Sequence, residues 1–147
     1  MPERSYGMSG KLRIVVDSNT LFSAFLYDGV PQECIDYIAQ NHILIVPEYC
    51  LIETTRVIQR KRPDKAKEWD LFLTTFDPFV VYKDQADPFM SEIPPIRDEK
   101  DEPVLAAAMS IKADIIITRD KDFFTPEIQS VFDVYKAGDF LMLFAHD

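Results

Sequence analysis

Residues 12–22 read LRIVVDSNTLF, and this stretch decides the fold class of the chain. Apolar residues typical of a β-strand lead into Asp17, and the helix-capping residues Ser18 and Asn19 then lead into a second apolar run. The pattern predicts a buried strand that ends at a carboxylate and is followed by a helix. In open α/β sheets, ligands bind in the crevice outside the carboxyl ends of the strands. Asp17 is therefore a candidate for a functional site.

A second stretch, ADIIITRDKDFF at 113–124, has the same design. An isoleucine-rich run is followed by Thr118 and Asp120, where the predicted strand ends. Two parallel strands that end side by side would bring Asp17 and Asp120 together. The sequence thus predicts one crevice that receives acids from distant parts of the chain.

The composition is that of a globular protein with one core. The chain has 147 residues, of which 47% are hydrophobic and 28% charged. We predict a loose polar tail over residues 1–10 and a single domain over 11–147. No apolar run reaches the roughly 18 residues of a membrane span, and the N-terminus lacks the apolar core of a secretion signal. We therefore expect a cytoplasmic protein, in which Cys34 and Cys50 are buried thiols.

The net charge of −9 limits how the chain could bind nucleic acid. A protein that binds nucleic acid by charge alone is usually basic, so such a function here requires a local basic patch or metal ions. Six cations between residues 56 and 67 form a basic cluster, in which Arg56 and Arg60 share a helix face with Glu53. This cluster is either a rim that binds phosphates or a solvated helix end, and both interpretations remain open.

Strand and helix patterns alternate along the chain. The predicted strands are the run ending at Asp17 and residues 43–46, 79–83, 115–118 and 131–136. The predicted helices are residues 19–27, 31–41, 48–62, 65–76, 101–113 and 137–147, with a long polar loop at 84–100. This alternation predicts a three-layer α/β/α sandwich with a mainly parallel sheet of about four to five strands. Trp69 is expected in the core or at a dimer surface, because its spacing is that of an amphipathic helix.

Four acids fall where this layout places them around one crevice: Asp17, Glu53, Asp101 and Asp120. Glu53 lies about 9 Å into its helix, but its side chain leans back toward the N-terminus and can reach the crevice. Carboxylates this close raise one another's pKa, and a divalent ion resolves the conflict. Oxygen ligands favour Mg²⁺ or Mn²⁺, and such sites hydrolyse phosphodiesters without a protein nucleophile.

Three motifs carry a resemblance to a known family: VVDSNTLFSAFL at 15–26, PEYCLIETTRVI at 47–58 and RDEKDEPVLAAAMSIKADIIITRDKDFF at 97–124. Together with VYKAGDFLMLF at 134–144, they resemble the PIN-domain nucleases, in particular the VapC-like branch of toxin–antitoxin pairs. The resemblance covers roughly residues 12–144. It implies a metal-dependent endoribonuclease that cleaves RNA, pairs with a small antitoxin protein and self-associates, as a dimer.

The resemblance also implies roles for single residues. The metal-binding and catalytic acids would be Asp17, Glu53, Asp101 and Asp120. Ser18, Asn19 and Thr118 would support these acids or contact substrate. The basic cluster, and not the resemblance, makes Arg56 and Arg60 candidates for binding substrate phosphates.

Each acid also has a structural interpretation. Asp17 and Asp101 are suitable helix caps, Asp120 is a common turn residue, and Glu53 taken alone is a solvated helix charge. Asp98, Glu99 and Glu102 surround Asp101 and could replace it, and Asp122 is a further candidate beside Asp120.

Two other functions compete with RNA cleavage. The same acids could serve a metal-dependent nuclease or phosphatase that acts on another substrate. The fold could instead be a non-catalytic module that binds RNA or a protein. A phosphoryl-accepting receiver domain is disfavoured, because the strand at 43–46 ends in Pro47-Glu48 and not in an acceptor aspartate.

Overall fold

Five parallel strands form the central sheet of the computed structural model, which describes residues 10–145. The strands are β1 (Arg13–Val16), β2 (Ile43–Pro47), β3 (Phe79–Val81), β4 (Ile115–Ile117) and β5 (Asp133–Tyr135). Their order in the sheet is β3-β2-β1-β4-β5. The predicted tail lies outside the described residues, except for Gly10.

The central position of β1 explains its apolar sequence. In the sheet Ile14 pairs with Leu44 on one side and with Ile115 on the other. Ile14, Val15 and Val16 are completely buried, as expected for a parallel strand that is covered on both faces. The carboxyl ends of β1 and β4 therefore lie next to each other, which confirms the predicted α/β architecture.

Eight α-helices cover the sheet in the described part of the chain. They are α1 (Ser18–Leu26), α2 (Val30–Asn41), α3 (Glu48–Lys61), α4 (Ala66–Phe76), α5 (Lys83–Ala86), α6 (Glu102–Ser110), α7 (Pro126–Gln129) and α8 (Ala137–Phe144). The predicted loop at 84–100 was partly wrong, because it contains most of α5 and the 3₁₀ turn Asp87–Phe89; α5 begins at Lys83, the last residue of the predicted strand at 79–83. The sequence also did not predict α7 or the 3₁₀ turn Lys121–Phe123.

The start of α6 differs from the predicted cap. Asp101 occupies the N-cap position, but its side chain makes no capping hydrogen bond. The side chain of Asp98 instead accepts a hydrogen bond from the Lys100 amide and starts the 3₁₀ turn Glu99–Asp101. Asp98 takes the capping role because this turn precedes α6, and the carboxylate of Asp101 is left for other contacts.

The core contains the residues that the sequence patterns assigned to it. Cys34 and Cys50 are buried free thiols. Trp69 is 3% exposed and donates a hydrogen bond from its indole to the hydroxyl of Thr55. Phe25 packs edge-on against Trp69, so this indole belongs to the core. Within residues 10–145, no helix has both the length and the apolar character that a membrane span requires.

Candidate metal centre

A cavity of about 400 Å³ is lined by all four predicted acids, Asp17, Glu53, Asp101 and Asp120. The acids come from the ends of β1 and β4, from the middle of α3 and from the turn before α6. Ser18 and Asn19 also line the cavity, as do Tyr49, Thr54, Lys61 and Lys100. The fold therefore brings together acids that lie far apart in the sequence.

Asp17 combines the structural role and the cavity position that the sequence left as alternatives. One carboxylate oxygen accepts a hydrogen bond from the Thr20 amide at 2.9 Å and caps α1. The other oxygen accepts a hydrogen bond from the hydroxyl of Thr118. Burial raises the pKa of Asp17, and the hydrogen bonds from Thr118 and Thr20 partly oppose this effect. A buried carboxylate of this kind favours a bound cation or a proton.

Thr118 connects the two strand ends. Its buried hydroxyl donates to Asp17 and accepts a hydrogen bond from the Asp120 amide at 3.0 Å. One oxygen of Asp120 then accepts a hydrogen bond from the Asp122 amide at 2.9 Å. The hydroxyl thus contacts both the carboxylate of Asp17 and the backbone of Asp120. Thr118 itself does not line the cavity. Contact between Thr118 and substrate stays a prediction.

Three carboxylates form a close group next to this connection. One oxygen each from Asp101, Asp120 and Asp122 lies within 4.8 Å of the other two. Burial and the charge of Asp120 raise the pKa of Asp101 to about 7. The predicted conflict between these acids is therefore present in the folded chain. Hard oxygen donors at this spacing could bind a divalent metal ion.

Two polar atoms on the cavity wall have unused hydrogen-bonding capacity. Among the described residues, the Oδ2 atom of Asp101 and the hydroxyl oxygen of Thr54 are the buried side-chain oxygens without a hydrogen-bond partner. Both residues line the acidic cavity. A buried polar atom without a partner is costly, and a cation with its water ligands in this cavity could supply the partner that the Asp101 oxygen lacks. The donor set therefore fits a hydrated divalent ion.

A comparison with known families agrees with this geometry. The profile of the PIN domain matches residues 13–122, which is most of the chain. The chain belongs to the PIN domain family. No curated protein matches this PIN domain significantly in sequence.

Two solved structures share the fold at low sequence identity. The first is VapBC2 from Rickettsia felis bound to a DNA fragment from the promoter, with 13% identity and a TM-score of 0.63 over 82% of this chain and 96% of that chain. The second is DNA-bound VapBC from Salmonella typhimurium, with 14% identity and a TM-score of 0.65 over 86% of this chain and 98% of that chain. The similarity to both structures supports the PIN fold.

The basic residues of α3 in this PIN domain differ in their position relative to the cavity, and phosphate binding by Arg56 and Arg60 stays a prediction. Arg56 and Arg60 are exposed, and neither lines the cavity. Lys61 does line it, on the same stripe of α3 as Tyr49 and Glu53. Tyr49 lies four positions before Glu53 and Lys61 eight positions after it, so the three follow one row of α3 with a four-residue spacing. This spacing from Glu53 is a signal by which Lys61 and Tyr49 could have been found.

The remaining acidic candidates differ in position. Asp98 lines the cavity and caps the turn before α6. Glu99 and Glu102 do not line the cavity, which leaves them as weaker replacements for Asp101. Asp122 belongs to the close carboxylate group but forms an ion pair with Arg97 at 2.9 Å.

Proposed function

We propose that this PIN domain is a Mg²⁺- or Mn²⁺-dependent endoribonuclease and the toxin of a type II toxin–antitoxin pair. One observation carries the proposal: Asp17, Glu53, Asp101 and Asp120 come from four separate segments and line one cavity, in which an oxygen of Asp101 is buried without a partner. A capping role does not account for the position of Asp101, because its side chain makes no capping hydrogen bond at the start of α6.

The acids are held on different walls of the cavity by different contacts. The carboxylate of Asp17 accepts a hydrogen bond from the hydroxyl of Thr118, and that of Asp120 accepts one from the Asp122 amide, so both side chains are held in place on the cavity wall. Glu53 approaches from α3 on another wall. A divalent ion bound by these oxygens would activate water as the nucleophile and stabilise the charge that develops on the leaving oxygen.

The mouth of the cavity has the groups that a nucleic-acid strand requires. Ser18 and Asn19 offer hydrogen-bonding side chains there, and Lys61 and Lys100 add positive charge to a chain with a net charge of −9. Lysines at such a position would bind the phosphates next to the one being cleaved. Arg56 and Arg60 would extend this contact along α3 for a longer substrate.

The partners follow from the resemblance and from the two similar structures. Both of those structures are VapBC complexes bound to DNA. We therefore propose a small antitoxin protein as partner, a second copy of this chain in a dimer, and RNA in the cytoplasm as substrate.

A substrate panel tests the proposal. Purified protein is incubated with single-stranded RNA, DNA and small phosphoesters, in Mn²⁺, Mg²⁺ or EDTA. We expect RNA cleavage that requires the metal and is abolished by Asp17→Asn, while the exposed control Asp70→Asn cleaves at the wild-type rate. Cleavage of only DNA or small phosphoesters would favour another metal-dependent hydrolase. RNA binding without any cleavage would favour the non-catalytic binding module.

A further inference from the structure

An ion pair joins the loop before α6 to the segment after β4. The Nε atom of Arg97 donates hydrogen bonds to both carboxylate oxygens of Asp122 at 3.0 and 3.1 Å, and Nη2 lies 2.9 Å from Oδ2. The side chain of Asp122 is 8% exposed, whereas that of Arg97 is 75% exposed. The carboxylate is thus enclosed, and the guanidinium covers it from the solvent side.

Each end of this ion pair is directly connected to cavity acids. Arg97 precedes Asp98, whose backbone carbonyl and side chain hold the turn that ends at Asp101. Asp122 donates its backbone amide to the carboxylate of Asp120. The pair therefore links the segment that carries Asp101 to the segment that carries Asp120.

The contacts of its carboxylate distinguish Asp122 from Asp101 and Asp120. Both of its oxygens are occupied by the guanidinium, whereas Asp101 keeps one buried oxygen without a partner. Asp122 also does not line the cavity, although Asp101 and Asp120 do. The close group of three acids is thus two cavity-facing carboxylates and a third that is neutralised from outside.

We propose that Arg97 is a positioning residue, and that its ion pair with Asp122 fixes the spacing of Asp101 and Asp120 for metal binding. In this arrangement Asp122 is not a metal ligand. The inference rests on the proposed function for its catalytic consequence, but its effect on metal binding can be measured without RNA. Because Arg97 is mostly exposed, the ion pair should contribute little to the free energy of unfolding.

The first test replaces Arg97 by glutamine. Outer-shell partners of metal ligands typically contribute about 10- to 100-fold in metal affinity or activity. We expect Arg97→Gln to weaken Mn²⁺ binding and lower kcat by about that factor, with the KM for RNA and the metal-free melting temperature nearly unchanged. Mn²⁺ affinity is measured from the metal-dependent rise of the melting temperature, without substrate.

A matched control is available in a second Arg–Asp pair. Arg62 contacts Asp64 at 3.1 Å, and neither residue lines the acidic cavity. Arg62→Gln should keep the wild-type Mn²⁺ affinity. Arg97→Lys keeps the charge but loses the bidentate geometry, so we expect it to restore part of the affinity.

A double-mutant cycle tests whether the two residues act together. If the pair acts as a unit, Asp122→Asn should weaken Mn²⁺ binding about as much as Arg97→Gln, and the double variant should be no worse than either single variant. Additive losses would make Asp122 a ligand and overturn the inference. A raised KM for RNA with unchanged Mn²⁺ affinity in Arg97→Gln would overturn it too, because Arg97 would then contact the substrate. A wild-type protein that binds Mn²⁺ but cleaves no RNA would refute the proposed function alone.

Discussion

Replacement of Asp101 by asparagine should make the metal-free protein more stable above neutral pH. The substitution keeps the shape of the side chain and removes its charge. Burial, together with the nearby charge of Asp120, raises the pKa of Asp101 from 3.8 to about 7. Above that pH the wild-type fold must accommodate an ionised Asp101 beside Asp120, and the variant need not.

The pKa gives both the sign and the size of the effect. Between pH 4 and 7 the folded state binds more protons than the unfolded state, so the wild-type free energy of unfolding falls as the pH rises through this window. A shift from 3.8 to about 7 corresponds nominally to about 4 kcal/mol. Solvent reaches much of this group and screens the repulsion, so we expect about 1–2 kcal/mol. For a chain of this length that is a rise in melting temperature of about 3–8 °C.

Thermal unfolding of both proteins in EDTA, at a series of pH values from 4 to 9, measures the effect. The two melting temperatures should agree near pH 4, separate as the pH rises from 4 to 7, and keep a constant gap above pH 7, with the variant higher. Saturating Mn²⁺ should reverse the order, because only the wild type gains binding free energy. A variant that is less stable than wild type at pH 8 without metal, or a gap that does not change with pH, would refute the reasoning.

The substitution Asp122→Asn is a control for which the expected change in melting temperature has the opposite sign. Arg97 lowers the pKa of Asp122, so its ionised form is the one that the fold stabilises. Because the mostly exposed Arg97 is screened by solvent, Asp122→Asn should lower the melting temperature only slightly at neutral pH, and this small difference should disappear as the pH falls below the usual range of an aspartate.

Three further predictions concern other parts of the chain. Lys61→Gln should raise the KM for RNA. In titrations at several ionic strengths, it should also reduce the slope of log binding constant against log salt concentration by about 0.7. A larger effect of Arg56→Gln would place the RNA outside the cavity. Burial raises the pKa of both Cys34 and Cys50 to about 12, so a thiol reagent at pH 8 should label them only after unfolding. Trp69→Phe loses the indole hydrogen bond to α3 and should cost about 1 kcal/mol in denaturant unfolding.

The sheet and the four acids that line the cavity could be predicted from the sequence, because both depend on local patterns. Continuous apolar runs marked β1 and β4, and parallel pairing then placed Asp17 and Asp120 at the same edge. Glu53 could be added because helix geometry fixes how far its side chain reaches.

The supporting contacts could not be predicted, because they depend on how loops pass each other. The ion pair of Arg97 and Asp122 joins two segments outside the α-helices and strands that are 25 positions apart, and no periodic pattern specifies it. The capping role was assigned to Asp101 and belongs to Asp98, because a 3₁₀ turn precedes α6. Such turns lack the apolar periodicity by which longer helices are recognised.

The hydrogen bond between Thr118 and Asp17 joins residues that are 101 positions apart. A ribosome synthesises Asp17, Glu53 and Asp101 before it reaches the residues of β4. A nascent chain therefore carries most of the acids while the partner that orients Asp17 does not yet exist. Translation that stops before residue 115 would release a fragment without an assembled pocket, so the acidic cavity would be completed only when synthesis is nearly finished.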